Sequence, residues 1–266
     1  MKKTLKEIGI TEKQLRQIIK GRKRKPKLLK LHITEGTYKF GIVSDTHLCS
    51  IHEKLDELHT FYEICKKVGI DTIVHAGDIV AGSGHIYRGQ LNELKCYGVK
   101  NQVNYVVSQY PNNGIRTYYI LGNHDWSFWT QNEVDIGELI SARREDMIYC
   151  GQGQADVEIG NVSIRLLHPD GGGAYALSYK GQKIAEQIPS GQKPDILILG
   201  HYHTTVFFHY RNMSVFQAGR FEGQSLFLLR KGINPNIGGW IVEVRIAKDA
   251  RESLVAIKPS WIPFYT

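Results

Sequence analysis

Five short segments of the chain place Asp, His or Asn directly after an apolar run typical of a β-strand. In chain order they are Asp45-Thr46-His47, Gly77-Asp78, Gly122-Asn123-His124-Asp125, His168 and Gly200-His201-Tyr202-His203. Ligands of open α/β sheets bind beyond the carboxyl ends of the strands, so these segments are expected to meet in one crevice. Carboxylate and imidazole groups suit divalent transition metals, and a bridging carboxylate can hold two ions about 3.5–4 Å apart. The pattern therefore predicts a two-metal centre.

The apolar runs that precede these residues must form strands, and the first half of the chain alternates strands with helical periodicity. A long amphipathic region covers about 90–109, and strands dominate after residue 147, with one helix near 176–188. Leu29–Ile33 also alternates like a strand and is followed by a turn at 35–37. This order of elements predicts an α/β protein in which two sheets face each other.

The five segments resemble the pattern of the calcineurin-like metallophosphoesterases, which reads D-x-H, G-D, G-N-H-[DE], a lone His and G-H-x-H. The resemblance covers about residues 38–220 and implies a two-sheet α/β sandwich flanked by helices. It also implies two metal sites that share Asp78. The first site would use Asp45, His47, Asp78 and His203, and the second Asp78, Asn123, His168 and His201.

The same resemblance implies that His124 is the catalytic residue, which protonates or hydrogen-bonds the leaving oxygen while a metal-bridging hydroxide attacks phosphorus. The implied cofactors are two divalent transition-metal ions, with manganese as first choice and iron, zinc or nickel as alternatives. Ala81 departs from the family pattern, since many members have a second Asp there (G-D-x-x-D) that supports the catalytic histidine. This argues against a protein phosphatase and requires another group to orient His124.

Residues next to the motifs have two interpretations each. His85, Tyr87 and Arg88, in the loop after Asp78, are candidate substrate contacts, or else part of a polar surface loop. Core packing is favoured over base stacking for the three aromatic residues that follow the histidine motif, Trp126, Phe128 and Trp129. Asp125 is expected to orient its loop rather than to bind metal.

The net charge of +8 is concentrated at the N-terminus. Residues 1–36 hold twelve basic and three acidic residues, a net +9, whereas the remaining 230 residues carry 22 basic and 23 acidic residues, a net −1. Such asymmetry indicates a polyanionic partner. We therefore predict a small basic helical element at 1–36, helix-turn-helix-like in its pattern, and a catalytic domain at 37–266. The expected partner is nucleic acid, DNA in particular, and not a membrane.

Together these observations favour a binuclear metal-dependent phosphodiesterase or nuclease that acts on DNA. The alternative is a phosphatase or phosphodiesterase for nucleotides or other small phosphate esters. A nucleic-acid-binding scaffold without catalysis is disfavoured, because every metal position and His124 are present. The four cysteines form no CxxC pair and the N-terminus does not look like a secretory signal, so we expect reduced thiols and a cytoplasmic protein.

Overall fold

The computed structural model describes residues 29–31, 36–160, 162–246 and 254–265, and these residues form two six-stranded sheets with helices on their outer faces. The strands are β1 (Leu29–Leu31), β2 (Gly36–Val43), β3 (Thr72–His75), β4 (Arg116–Leu121), β5 (Met147–Gln152), β6 (Gln154–Ile159), β7 (Val162–Leu167), β8 (Ile196–Leu199), β9 (Thr205–Tyr210), β10 (Met213–Ala218), β11 (Gly238–Ile246) and β12 (Leu254–Pro263). The helices are α1 (Leu55–Lys67), α2 (Gly98–Gln109), α3 (Asn123–Asn132), α4 (Ile136–Ser141), α5 (Tyr179–Gln187) and α6 (Leu226–Lys231).

The first sheet has the strand order β12-β11-β2-β3-β4-β5. Strands β2 to β5 run parallel, so the carboxyl ends of β2, β3 and β4 lie at the same edge. Strand β11 pairs antiparallel with β2, and β12 antiparallel with β11. Three of the five predicted site segments therefore start from neighbouring positions of one sheet.

The second sheet has the order β1-β6-β7-β8-β10-β9. Its central strands β7, β8 and β10 are parallel, whereas β6 and β9 return antiparallel through hairpins. The β9–β10 turn is made by Arg211 and Asn212, both with positive φ, as a tight two-residue hairpin turn requires. His168 and His201 follow β7 and β8 at the edge that faces the site segments of the first sheet.

The apolar periodicity of the strands and helices accounts for the layers. Phe40 and Ile164 are fully buried between the two sheets. Phe61 of α1 and Val106 of α2 are buried against the outer face of the first sheet, and Ala185 of α5 against that of the second. A fully buried side chain of this kind contributes about 1.5–3 kcal/mol, so packed layers on both sides hold the strand ends rigidly. The predicted sandwich with flanking helices is confirmed.

The structure differs from the expected elements in three places. The 90–109 region is split into a 3-10 turn at Gln90–Glu93 and helix α2, which begins only at Gly98. Strands β1 and β2 lie in different sheets and do not pair with each other. The six-residue helix α6 was not predicted. Of the basic element at 1–36, only Leu29–Leu31 and Gly36 are described; the helix-turn-helix prediction lies outside the described residues.

Cys49 and Cys96 form a disulfide, which corrects the expectation of reduced thiols for this pair. They are 47 positions apart, and the fold brings their Cα atoms to 5.5 Å by pairing the loop after β2 with the segment before α2. No local spacing signals such a contact. Cys65 and Cys150 are buried thiols that form no disulfide with a described residue, as expected. The cytoplasmic location stays a prediction, and a disulfide is a feature more typical of oxidising compartments.

Among the described residues, no helix has the length and apolar composition that crossing a bilayer requires.

Candidate metal and catalytic site

The loops that leave the strands are held side by side by backbone hydrogen bonds. The amide of Asp45 donates to the carbonyl of Gly77 at 2.9 Å, and the amide of His47 donates to the carbonyl of Asp78 at 3.1 Å. The parallel pairing of β2 and β3 thus continues past their ends. From the opposite sheet, the amide of His201 donates to the carboxylate of Asp45 at 3.0 Å. All the predicted metal ligands consequently lie at one edge of the sandwich.

One group of side chains brings together Asp45, His47 and His203. Their potential ligand atoms all lie within 4.8 Å of one another. The Nε2 atom of His203 is 3.2 Å from an Asp45 oxygen, and Nε2 of His47 is 3.8 Å from the same oxygen. Asp78 adjoins this group, with its Oδ2 atom 3.8 Å from Nε2 of His47.

A second group forms around the other side of Asp78. Its Oδ2 atom is 3.2 Å from Nε2 of His168. The side-chain oxygen of Asn123 is 3.1 Å from Nε2 of His168 and 2.9 Å from Nδ1 of His201. Asp78 therefore lies between the two groups, where a bridging ligand must be.

Three side-chain atoms of the proposed ligands have no hydrogen-bond partner among the described residues. Nε2 of His47, Oδ2 of Asp78 and Nε2 of His203 are buried and have no hydrogen-bond partner among the described residues, although the latter two have an ionisable neighbour at 3.2 Å. A buried polar atom without a partner is costly unless a ligand compensates it. Imidazole and carboxylate are also the right donors for transition metals. The residues present therefore fit a pair of divalent ions.

Electrostatics of the site keep its carboxylates ionised. Burial opposes charge, but hydrogen bonds and the charges of neighbouring histidines hold the pKa of Asp45 and of Asp78 well below their usual range. Burial also opposes the charge of His168, yet Asp78 raises the pKa of His168 to about 10. Desolvation lowers the pKa of His47 and of His203, the latter to about 4. The site is thus strongly polarised before any metal arrives.

The peptide backbone at these positions is unusual. Five predicted ligands, together with Cys49, have φ between 42° and 75°, in the left-handed region: Asp45, His47, Asp78, His201 and His203. Each such residue costs on the order of 1–3 kcal/mol and persists only where the surroundings fix it. Strain concentrated on the ligands themselves is typical of a functional site.

Glycines precede the ligands because there is no room for a side chain. A Cβ atom on Gly122 would lie 2.2 Å from the carboxylate of Asp78 and 2.6 Å from the ring of His168. A Cβ atom on Gly200 would lie 2.3 Å from the carbonyl oxygen of Ala76. The loops that leave the two facing sheets are therefore in close contact at these glycines, which explains the Gly-x pattern of the motifs.

His124 lies at the N-terminus of α3, beside the ligands. Its ring meets that of His47 edge-on, with the centroids 4.4 Å apart, and its amide donates to Asp78 Oδ1 at 2.7 Å. Its Nδ1 atom is 2.8 Å from the carbonyl oxygen of Ala81, so Nδ1 donates there. Gln90 Nε2 also donates to that carbonyl, at 2.8 Å. The group that orients His124 is therefore a backbone carbonyl, which has no signature in the sequence.

Asp125 belongs to neither of the two ligand groups. Its side chain instead joins the loop after β3 to the start of α3. Its carboxylate accepts hydrogen bonds from the amides of Ile79, Val80 and Gly122 at 2.9–3.1 Å. Burial and the nearby charge of Asp78 raise the pKa of Asp125 to about 7. This matches the expectation that Asp125 orients its loop.

Arg220 and Glu222 were missed by sequence reasoning. Arg220 is fully buried, donates to Nδ1 of His203 at 3.0 Å and forms an ion pair with Glu222. A guanidinium only donates, so Nδ1 of His203 is the accepting nitrogen and the neutral ring carries its proton on Nε2. Metal binding at Nε2 must displace that proton or loosen this contact. One signal was available, since Gly219-Arg220 follows β10 as Gly200-His201 follows β8.

A cavity of about 570 Å³ opens directly onto the site. His124 and His203 line it together with Tyr87, Arg220 and Phe227. Its size lies in the range of small-molecule binding sites, about 300–1,000 Å³.

One of the three predicted substrate contacts lines the cavity and the other two do not. Tyr87 lines the cavity, whereas His85 and Arg88 are exposed and do not line it. Of the aromatic residues after the histidine motif, Phe128 is buried in the core. The rings of Trp126 and Trp129 stack on each other with centroids 5.2 Å apart, and neither lines the cavity. Core and surface packing, rather than base stacking, accounts for these three.

Comparison with protein families gives a match to the calcineurin-like phosphoesterase superfamily domain over residues 38–227. The chain belongs to the calcineurin-like phosphoesterase superfamily. The matched segment contains every predicted metal ligand, His124 and Arg220. As a member of this superfamily the chain is a metal-dependent phosphoester hydrolase, and its clustered ligands imply divalent metal ions.

Several solved structures are similar to this chain. A novel archaeal phosphodiesterase is 18% identical with a TM-score of 0.47, covering 85% of this chain and 100% of that one. Vacuolar Protein Sorting 29 from Cryptosporidium parvum is 16% identical with a TM-score of 0.48, covering 86% and 100%. Vps29 from Entamoeba histolytica, complexed with Zn²⁺, is 13% identical with a TM-score of 0.41, covering 86% and 100%. No curated protein sequence matches the chain.

Proposed function

We propose that this phosphoesterase hydrolyses phosphodiester bonds of DNA with two divalent ions, manganese before iron, zinc or nickel. The observation that carries the reaction class is the pair of ligand groups around Asp78, whose unpartnered atoms adjoin His124. When bound, the two ions supply Lewis-acid activation of the phosphate ester and of the attacking water. The assignment to ions is by residue: Asp45, His47, Asp78 and His203 for one, and Asp78, Asn123, His168 and His201 for the other.

His124 is the proposed proton donor. Because Nδ1 carries the proton donated to the carbonyl of Ala81, the proton exchanged with the leaving oxygen is at Nε2. Gln90 and the Ala81 carbonyl hold the ring at a fixed angle to the ligands, so the donor is oriented before the substrate binds. Burial lowers the pKa of His124, with Asp78 opposing this.

DNA is favoured as substrate by the charge of residues 1–36. This basic segment has a net charge of +9, whereas residues 37–266 have −1 and offer little long-range attraction to a polyanion. In this proposal the basic segment holds the polymer and the metal site cleaves it.

A second candidate is hydrolysis of nucleotides or other small phosphate esters. The cavity of about 570 Å³ at the site favours it, because a pocket of that size surrounds a small molecule.

The decisive experiment compares DNA binding and small-ester turnover in full-length variants. The variant neutralises three residues of the basic segment: Arg22→Gln, Lys23→Gln and Arg24→Gln. The control neutralises three exposed lysines of the body: Lys66→Gln, Lys67→Gln and Lys100→Gln. DNA affinity is measured at about 50 and 200 mM salt, since each lost phosphate contact flattens the slope by about 0.9.

If the basic segment holds DNA, the first variant should reduce the magnitude of the slope of log affinity against log salt by up to about 3. Turnover of an aryl phosphodiester should stay unchanged. The control should keep the slope of the parent protein. An unchanged slope in the first variant, with the protein folded and active, would leave small phosphate esters as the substrate class. A panel of Mn²⁺, Fe²⁺, Zn²⁺ and Ni²⁺ in the same turnover assay tests the choice of metal.

A further inference from the structure

The lining of the cavity includes an aromatic wall made of two rings. Tyr87, from the loop after β3, and Phe227, from α6, both line the cavity, and their ring centroids are 5.3 Å apart. Phe227 is 39% exposed, so part of its ring is open to a ligand. The lining also includes His47, Asp78 and Asn123 of the proposed metal site. A molecule that fills this space needs a phosphate at one end and a planar or apolar group at the other.

The aromatic wall is fixed in place by Glu93. The hydroxyl of Tyr87 donates to Glu93 at 2.5 Å, and the amide of Leu226 donates to the same carboxylate at 2.8 Å. His52 Nε2 lies 2.9 Å from it as well. Glu93 therefore joins the Tyr87 loop to the start of α6. A preformed wall loses little entropy when a ligand stacks on it.

The rim beside the wall is cationic. Lys231 lines the cavity, and its Nζ atom is 5.9 Å from the ring centroid of Phe227. An exposed cation next to an exposed aromatic ring suits a nucleoside whose sugar carries a second phosphate, as an internal nucleotide of a strand does. An acyl chain would gain nothing from Lys231 at this position.

We propose that this wall is a nucleobase subsite, in which the base of the nucleotide that bears the scissile phosphate stacks against Phe227 and Tyr87. The inference rests on the proposed function and deepens it, because the base must be unpaired to enter. The substrate class is then a single-stranded or frayed DNA end, or a nucleotide phosphodiester, and not an intact duplex. Trp126 and Trp129, two other candidates for base stacking, lie outside the cavity lining.

The test uses two diesters with the same leaving group, thymidine 5′-(p-nitrophenyl phosphate) and methyl p-nitrophenyl phosphate. The Phe227→Leu variant keeps an apolar side chain but removes the ring, and Phe227→Trp keeps a ring. Leu229→Ala is the matched control, since Leu229 is an exposed apolar residue of the same helix outside the cavity lining.

Loss of one base stack corresponds to about a 5- to 150-fold loss of affinity. Phe227→Leu is therefore expected to lower kcat/KM for the thymidine ester by at least about fivefold, while the methyl ester changes less than about twofold. Phe227→Trp and Leu229→Ala should retain the ratio of the parent protein. Equal losses on both esters, or no loss on either, would overturn the nucleobase subsite.

Two further measurements distinguish a nucleobase subsite from a general apolar pocket and separate binding from hydrolysis. An octyl p-nitrophenyl phosphate that suffers from Phe227→Leu as much as the thymidine ester does would show a general apolar pocket and overturn the proposal. Calorimetric binding of thymidine 5′-monophosphate against methyl phosphate tests the subsite even in a protein without turnover. If neither ester is hydrolysed but binding still depends on Phe227, the proposed function fails and the subsite stands.

Discussion

The backbone carbonyl oxygen of Ala81 lies 2.8 Å from Nδ1 of His124, and position 81 is the one at which the G-D-x-x-D pattern has an aspartate. A carbonyl orients the imidazole and fixes its tautomer as a carboxylate does, but it is neutral and stabilises the protonated ring less. The carbonyl of Ala81 therefore orients the ring as an aspartate at this position would, but it does not supply the negative charge.

The hydrogen bond that Gln90 donates to the Ala81 carbonyl predicts the effect of Gln90→Met. Gln90 is buried and donates to Ala81, so its replacement by an apolar side chain of similar length leaves the carbonyl less firmly held. We expect kcat to fall about 10- to 100-fold, because the proton donor is misplaced. The control is Gln109→Met at an exposed glutamine. An unchanged kcat would show that the Ala81 carbonyl needs no such support.

His124→Ala should keep both metal ions, because no proposed ligand is removed. The rate should fall by about 10²–10⁴-fold for a leaving group that needs a proton, such as a deoxyribose oxygen. For a p-nitrophenyl ester, which leaves without a proton, the loss should be smaller. Metal content by mass spectrometry and rates on both substrates check this. Equal losses would remove His124 from the leaving-group role.

Gly122→Ala should disrupt metal binding. The added Cβ would lie 2.2 Å from the carboxylate of Asp78 and 2.6 Å from its backbone nitrogen, and neither can move without shifting the bridging position. The matched control is Gly191→Ala, where a Cβ meets nothing within 4 Å. Metal titration is the measurement. Full metal occupancy in Gly122→Ala would contradict the close approach described here.

The buried ion pair predicts a stability pattern. Arg220→Met leaves Glu222 as a buried carboxylate without its partner, which typically costs about 3–5 kcal/mol. The double variant Arg220→Met with Glu222→Gln removes both charges and should recover most of that loss. Denaturant unfolding of the three metal-free proteins gives the free energies. A double variant no more stable than Arg220→Met would mean that the cost comes from lost packing.

Metal binding should release protons from His168. Asp78 raises the pKa of His168 to about 10 against the effect of burial, and a ligand imidazole must be neutral. At about pH 8 the metal therefore displaces a proton, and metal affinity rises with pH up to about 10. Calorimetry in buffers of different ionisation enthalpy measures the release, with His168→Asn as the control. Proton release that is the same in both proteins would contradict it.

The same pKa predicts the stability of the metal-free protein. Because the folded pKa lies above the unfolded value of about 6.5, the charged His168 stabilises the fold fully below about pH 6.5. This contribution is lost as the pH rises through about 10. Thermal unfolding of the metal-free protein between these limits should show a falling midpoint, and His168→Asn should flatten the fall.

The clustering of the proposed metal ligands could be predicted from the sequence because each is local to a strand end. An apolar run, a glycine and a polar residue within a few positions are enough to place Asp78 or Asn123, and parallel strands then bring them together. The sandwich followed from the same alternation of strands and helices.

The remaining features depend on contacts between distant segments. Ala81 acts through its backbone, which no residue type reveals. The Cys49–Cys96 disulfide and the Arg220–His203 contact join parts of the chain that share no spacing rule. Helix α6 has only six residues, too few for helical periodicity to appear, so the Phe227 wall was not predicted.

Strand β2, which leads into Asp45, is bordered by β11 near the other end of the chain; Ile42 faces Trp240 across this pair. The region matched by the family, 38–227, ends before β11 begins. A protein trimmed to that region would expose the whole hydrogen-bonding edge of β2, a ready template for intermolecular strand addition. The family motifs and the sheet that carries them therefore occupy different lengths of chain: β2, which leads to the first proposed ligand, has both edges paired only after β11 has been synthesised and has joined the sheet.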